Sequence, residues 1–156
     1  MDCYTAALRI LNFRFNSAAE LRRKLRAKKF EEEEISAVLD RLREEKWLDD
    51  DRFASSFVRT RATKRVGRLR ILRELSEAGV SSSAAARAVA EHLDPERERA
   101  ELAELCRRKL EALRRRRGDE YVASDEGRAK LMASLARSGF ETSAVIDAVN
   151  DALRER

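Results

Sequence analysis

Residues 71–89 read ILRELSEAGVSSSAAARAV, and the apolar spacing in this stretch predicts two helices joined by a tight turn. Steps of four residues keep side chains on one face of a helix, whereas steps of five interrupt that face. Gly79 stands where a left-handed residue would end the first helix. The apolar positions follow one another at intervals of 4, 5, 5 and 4: Ile71, Leu75, Val80, Ala85 and Val89.

The same spacing occurs in two more copies, which predicts a tandem repeat of helical hairpins. Gly139 precedes the central apolar residue of the last copy, as Gly79 does in the middle copy, whereas Lys29 holds this position in the first. The matching apolar positions are Leu21, Leu25, Phe30, Ile35 and Leu39 in the first copy, and Leu131, Leu135, Phe140, Val145 and Val149 in the last.

A further helix is predicted in front of each hairpin. Ser17 and Glu20 form a capping-box pattern, Asp49 and Asp50 can cap a helix, and Asp94 followed by proline is a strong start signal. The expected apolar positions of these leading helices are Leu8, Leu11 and Phe15, then Phe53, Phe57 and Val58, then Leu102, Cys106, Leu110 and Leu113.

These patterns predict an all-α fold, an elongated tandem array of three three-helix repeats with about nine helices. The repeats are expected at residues 1–48, 49–93 and 94–156, with Gly118–Ser124 as the longest loop. The composition agrees, because only 5 glycines, 1 proline and 6% aromatic residues disfavour sheets and long loops.

Positive charge is concentrated in one part of the chain. The net charge is +5, yet from Arg52 to Arg73 there are eight cations and no carboxylate. Such a stretch is either a solvated face or a surface for an acidic partner such as nucleic acid. The candidate partner-binding residues are Arg52, Arg59, Arg61, Lys64, Arg65, Arg68 and Arg70, together with Arg22, Arg23 and Arg26 on the polar side of the first hairpin.

Structural explanations stay open for some of these cations. Arg70 can pair with Glu74 one helical turn away. Lys64 and Arg65 lie near a predicted helix end, where the helix dipole favours a cation. Arg59, Arg61 and Arg68 have no acidic residue within four positions, so we expect them to provide contact energy for a partner instead of stabilising the fold.

No catalytic residue, cofactor or metal ligand is predicted. The chain has one histidine and two distant cysteines, and it lacks a phosphate-binding glycine loop and a nucleophile elbow. Asp49–Asp51 could in principle hold Mg²⁺, but helix capping explains them better. No apolar run approaches the roughly 18 residues of a membrane helix. We therefore expect a monomeric cytosolic protein that does not bind a membrane.

Several short motifs occur in a fixed order along the chain. Leu11, Arg14, Ser17 and Glu20-Leu21 lie near its beginning. The central motifs are residues 48–54 (LDDDRFA), 57–61 (FVRTR) and 67–75 (GRLRILREL), and Ser138-Gly139-Phe140 follows in the last hairpin. Together they resemble the opening, the central signature and the third hairpin of the RecX family, which regulates the RecA recombinase. Lys46-Trp47 stand where the family often has Gly-Tyr, and Lys29 where it often has glycine.

The resemblance implies a helical-repeat protein that lies in the groove of a RecA filament on single-stranded DNA, has no active site and usually restrains RecA. If the carboxylate-free stretch faces a nucleic acid or a filament, we expect weak to moderate binding of single-stranded DNA alone, falling steeply with salt. The motif residues that carry over are Asp50, Arg52, Arg59, Arg61, Gly67 and Arg70.

Two other classes of protein remain as alternatives. A helix-turn-helix DNA-binding protein would also be small, helical and basic, but it would present one exposed recognition helix and usually dimerise. An adaptor that binds an acidic protein groove through charge would need neither DNA nor RecA.

Overall fold

The computed structural model describes residues 1–155 and has ten helices over them, where the sequence predicts about nine. None of these residues lies in a β-strand, which confirms the all-α prediction. The helices are α1 (Cys3–Phe13), α2 (Ala18–Ala27), α3 (Glu32–Glu44), α4 (Asp50–Ala62), α5 (Arg68–Glu77), α6 (Ser82–His92), α7 (Pro95–Arg117), α8 (Asp119–Ala123), α9 (Asp125–Arg137) and α10 (Thr142–Arg154).

The extra helix, α8, lies where the sequence predicts the longest loop, so that prediction is wrong. Gly118 ends α7 with φ of 87° and then precedes the first residue of α8. Ser124 follows, and its side chain accepts a hydrogen bond from the backbone N–H of Gly127 to begin α9. One turn of helix thus fits between two strong local signals, a glycine and a serine cap.

The predicted helix starts are confirmed. Ser17 and Glu20 form both hydrogen bonds of the capping box, with distances of 3.1 and 3.2 Å. The Asp49 carboxylate accepts hydrogen bonds from the backbone N–H groups of the two residues after Asp50, so it caps α4. Asp94 caps α7, with Pro95 as its first residue.

The chain forms two compact units. The first comprises Met1–Phe57 and Glu74–Ala88, and the second comprises Val58–Arg73 and the chain from Val89 onward. Helices α4, α5 and α6 each contribute residues to both units. The division into repeats at residues 48 and 93 therefore stays a prediction.

The apolar positions of the hairpins form the cores of these units. All are buried except Phe30, which is half-buried. In the second unit, the four predicted apolar positions of α7 pack with α9 and α10. One of them is Cys106, and its burial raises the pKa of its thiol to about 11. Cys106 is thus a core residue, as predicted, and it stays protonated at neutral pH.

The apolar stripe predicted for α1 is wrong in part. The side of α1 that packs into the core consists of Cys3, Ala6 and Ala7. Leu8 and Leu11 are only half-buried, and Phe15, beyond the end of the helix, is 48% exposed. Small side chains let α1 approach α2 and α3 closely, so the larger residues lie beside the contact.

In the first unit, the turn between α5 and α6 packs on the start of α2. The Ser17 hydroxyl donates a hydrogen bond to the Ala78 carbonyl. Gly79 follows with φ of 83°, and a Cβ on it would overlap the Cβ of Ala19. Glycine is therefore required by the backbone conformation and also by the close approach.

In the second unit, the turn between α9 and α10 packs on the start of α5 in the same way. The backbone N–H groups of Gly67 and Leu69 donate to the carbonyls of Ser138 and Gly139 at 2.8 and 2.9 Å. A Cβ on Gly139 would overlap the Cβ of Arg70 and lie 2.7 Å from its backbone nitrogen. The hairpin turn of one copy thus packs on the second helix of the copy before it.

The two ends of the repeat differ from this pattern. Lys29, which matches Gly79 and Gly139, is exposed and has φ of 68°. At the other end, Gly127 holds the position of Ser17 and Gly67 in the spacing, and a Cβ on it would overlap the carbonyl of Tyr121 in α8. Helix α8 therefore packs on the last copy where a further turn would otherwise lie.

At the turn between α2 and α3, the positive φ of Lys29 favours glycine, but no close packing requires it, and Lys29→Gly tests this interpretation. A side chain in the left-handed region costs about 1 to 2 kcal/mol, and the greater flexibility of glycine in the unfolded chain offsets about 0.5 to 1 kcal/mol of this. We expect urea denaturation to show a gain in the free energy of unfolding of up to about 1.5 kcal/mol. Lys28→Gly is the control, because Lys28 has φ of −84° and should gain nothing. A loss of stability in Lys29→Gly would contradict the interpretation.

No helix within residues 1–155 combines the length and the apolar character needed to cross a bilayer.

Candidate partner-binding surfaces

The carboxylate-free stretch, Arg52–Arg73, covers most of α4, the turn after it and the start of α5, and most of its cations lie from the end of α4 onward. Arg59 and Lys64 are exposed, and neither forms an ion pair with any residue in 1–155. Arg65 is half-buried and has φ of 55°, a turn conformation that follows the helix. Arg61 and Arg70 are half-buried and make contacts within the protein. All five lie in the second unit.

Arg68 has an acidic partner, so the prediction that it lacks one is wrong. Its Nε lies 3.3 Å from a carboxylate oxygen of Glu98 at the start of α7. The Glu98 side chain is only 13% exposed, so the pair is partly shielded from water. Glu98 is 30 residues away in the chain, which a search for nearby acids along the sequence does not reach.

Arg52 lies in the first unit, among the three aspartates of the motif. Asp49 caps α4, Asp50 accepts a hydrogen bond from the backbone N–H of Ala18 at 2.8 Å, and Asp51 pairs with Arg87 at 2.9 Å. The three carboxylates therefore have three different structural partners. Arg52 itself is exposed, and its guanidinium lies 4.9 Å from the centre of the Phe15 ring.

Asp49 and Asp50 of this acidic motif thus cap helices, whereas Asp51 forms an ion pair with Arg87. Over residues 1–155, no group of three or more histidine, cysteine, aspartate or glutamate side chains is arranged to hold a metal ion. The Asp50 carboxylate satisfies the first free N–H of α2, which belongs to a different copy. The motif residue Asp50 therefore connects two copies within the first unit.

The basic cluster of α2 is partly neutralised. Arg22 and Arg26 both pair with Glu32, at 3.2 and 2.6 Å, and the hydrogen bond from Arg26 lowers the pKa of the Glu32 carboxyl. Arg23 is exposed and forms no ion pair within residues 1–155. These three arginines line a cleft of about 460 Å³ with Arg43, but Asp50 and Glu77 line it too.

The second unit has a further basic cleft, and none of the residues that line it is among the candidate residues predicted from the sequence. It measures about 420 Å³, lies between α7 and α9, and has no carboxylate in its lining. The cleft lies in the predicted third repeat, residues 94–156, which contains as many acidic as basic residues. The net charge of that repeat therefore does not indicate a basic surface. Spacing could have found it, because the four cations form two pairs seven residues apart, each on one helix face: Lys109 and Arg116, Lys130 and Arg137.

Comparison with known proteins gives a consistent result. Residues 3–42 match the model of the first three-helix domain of RecX, and residues 49–89 match that of the second. A RecX regulatory protein from Xanthomonas campestris pv. campestris is 37% identical over 89% of this chain and 80% of its own length. One from Corynebacterium efficiens is 36% identical over 96% of this chain and 71% of its own length. The crystal structure of RecX from Lactobacillus salivarius is similar with a TM-score of 0.79 and 25% identity, over 97% of this chain and 94% of that one.

Proposed function

This chain belongs to the RecX family of regulatory proteins, and from that premise we propose that it inhibits the RecA recombinase by binding in the groove of the RecA filament on single-stranded DNA. A regulatory role toward RecA follows from the family. Inhibition, binding in the groove and the lack of an enzymatic step are the further parts of the proposal.

The end of α4 and the turn after it support binding to a polyanionic partner. Arg59 and Lys64 are exposed cations without ion pairs in residues 1–155, and Arg65 lies between them and α5. Surface charges of this kind contribute little to folding, whereas a filament on DNA presents many phosphates. This exposed, carboxylate-free surface is the observation that carries the proposal. Arg68 does not belong to it, because Glu98 holds it.

Reversing these two charges tests the proposal. Well-formed charge-assisted contacts are worth about 1.5 to 3 kcal/mol each. Arg59→Glu with Lys64→Glu should therefore raise the concentration for half-inhibition of the RecA ATPase on single-stranded DNA by at least about 100-fold. Stability should change by no more than about 0.5 kcal/mol, measured by urea denaturation.

Two further variants serve as controls. Arg99→Glu with Arg115→Glu changes the net charge by the same amount on exposed positions of α7 and should leave inhibition nearly unchanged. Arg23→Glu with Lys28→Glu tests the other candidate surface, on α2. If the Arg59 and Lys64 variant folds normally and still inhibits RecA while the α2 variant does not, the partner binds at α2. If the wild-type protein leaves the RecA ATPase unchanged, inhibition is excluded.

A further inference from the structure

A groove of about 560 Å³ on the first unit combines aromatic faces with positive charge. It is formed by α1, the turn between α3 and α4, and the beginning of α4. None of the side chains that line it is a carboxylate. Those that matter here are the apolar Leu8, Phe15 and Trp47 and the cationic Arg9, Lys46 and Arg52.

The two aromatic side chains are exposed because the backbone holds them there. Trp47 is 60% exposed and Phe15 is 48% exposed. The backbone N–H of Trp47 donates to the Leu42 carbonyl at 2.9 Å, and Lys46 before it has φ of 62°. Leu48 after it is buried, so Trp47 is anchored on both sides. Large apolar groups grouped on a surface generally mark a binding site.

The positive charge of the groove is not cancelled by its surroundings. Arg9, Lys46 and Arg52 form no ion pair within residues 1–155. Three nearby acids have other partners: Glu45 pairs with Arg41 at 2.8 Å, Asp51 pairs with Arg87 at 2.9 Å, and Asp49 caps α4. Glu44 is exposed and does not line the groove. A ligand of this groove therefore meets three cations beside the rings of Trp47 and Phe15, and one of these cations, Arg52, already lies over one face of Phe15, with its guanidinium 4.9 Å from the ring centre.

We propose that this groove binds single-stranded DNA by stacking unpaired bases on Trp47 and Phe15, with Arg9, Lys46 and Arg52 facing the phosphates. Aromatic faces within a basic groove are the usual means of binding unpaired strands. An acidic protein segment would use the cations but would leave the aromatic faces without matching groups. Duplex DNA would keep its bases stacked inside the helix. The choice of DNA rests on the proposed function, since a RecA filament carries a single strand.

The chain provides its own probe, because Trp47 is its only tryptophan. Titrating the full-length chain with a 20-nucleotide thymidine oligomer at low salt should quench the tryptophan fluorescence. An oligomer of equal length with abasic sites throughout carries the phosphates without the bases, and it should bind weakly and leave the fluorescence unchanged. Phe15→Ala should weaken binding of the thymidine oligomer by about 5- to 150-fold, the range for one lost stacking contact.

Phe13→Ala is the matched control. Phe13 is 91% exposed but does not line the groove, so its removal should leave affinity and quenching unchanged. Equal quenching by the abasic oligomer would overturn base stacking. Binding detected by fluorescence anisotropy of labelled DNA without any quenching would overturn the location, and so would equal losses in Phe15→Ala and Phe13→Ala. Failure of the thymidine oligomer to bind at low salt would overturn the proposal altogether.

RecA activity separates this proposal from the proposed function. If the protein inhibits the RecA ATPase while the fluorescence of Trp47 does not respond to DNA, the proposed function is supported and the proposed base stacking is wrong. If thymidine oligomers quench the fluorescence of Trp47 while the RecA ATPase is unaffected, base stacking in the groove is supported and inhibition of RecA is wrong.

Discussion

Gly139→Ala is expected to lower the free energy of unfolding by roughly 3 to 6 kcal/mol. The new methyl group would overlap the Cβ of Arg70 and crowd its backbone nitrogen. Relieving this overlap means moving the turn away from α5, which breaks the hydrogen bonds from the N–H groups of Gly67 and Leu69. The φ of 91° adds strain for any residue with a Cβ.

Gly118→Ala separates the two causes. Gly118 also has a positive φ, 87°, but a Cβ on it would have no neighbour within 4 Å. We expect this variant to lose about 1 to 3 kcal/mol from backbone strain alone. Urea denaturation followed by circular dichroism measures both variants. If Gly139→Ala lost no more than Gly118→Ala, the close packing of the turn on α5 would not contribute to stability.

Phe53→Ala should lower the free energy of unfolding by about 3 to 5 kcal/mol. Phe53 is 5% exposed on α4, and its ring centre lies 5.9 Å from that of Phe57. Removing the ring leaves a cavity and also removes the aromatic contact with Phe57. The proposed inhibition of RecA should fall only as far as the protein unfolds, so it should return at lower temperature.

Phe13→Ala removes the same ring from a position that is 91% exposed, and it should change stability by no more than about 0.5 kcal/mol. Thermal and urea denaturation of the two variants show how the loss of stability depends on burial, because the same side chain is removed in both. Equal effects would mean that α4 does not depend on Phe53 for its packing.

Local signals in the sequence were sufficient to predict the hairpins and their caps. Four-residue apolar spacing, the Ser17 capping box and the Asp94-Pro95 start act within one or two helical turns, and the structure confirms them. The two positions where the chain departs from the RecX pattern, Lys29 and Lys46, both have positive φ. This explains why glycine suits those turns.

The remaining features depend on neighbours that are distant in the chain. Arg68 pairs with Glu98 across 30 residues. The core-facing side of α1 was missed because Ala6 and Ala7 carry a weaker apolar signal than Leu8 and Leu11. The sequence does not reveal the groove lined by Phe15 and Trp47 for a related reason, since the apolar spacing predicts Phe15 in the core. The elongated form of the array stays a prediction.

The packing of α8 on the last copy bears on how such a chain can change length during evolution. An added copy placed between existing ones needs only a glycine at its own turn and a small residue such as Gly67 or Ser17 at the start of its second helix. A copy added after the third would first have to displace α8 from Gly127. Gene duplication that lengthens this protein is therefore easier inside the chain than at its carboxyl end.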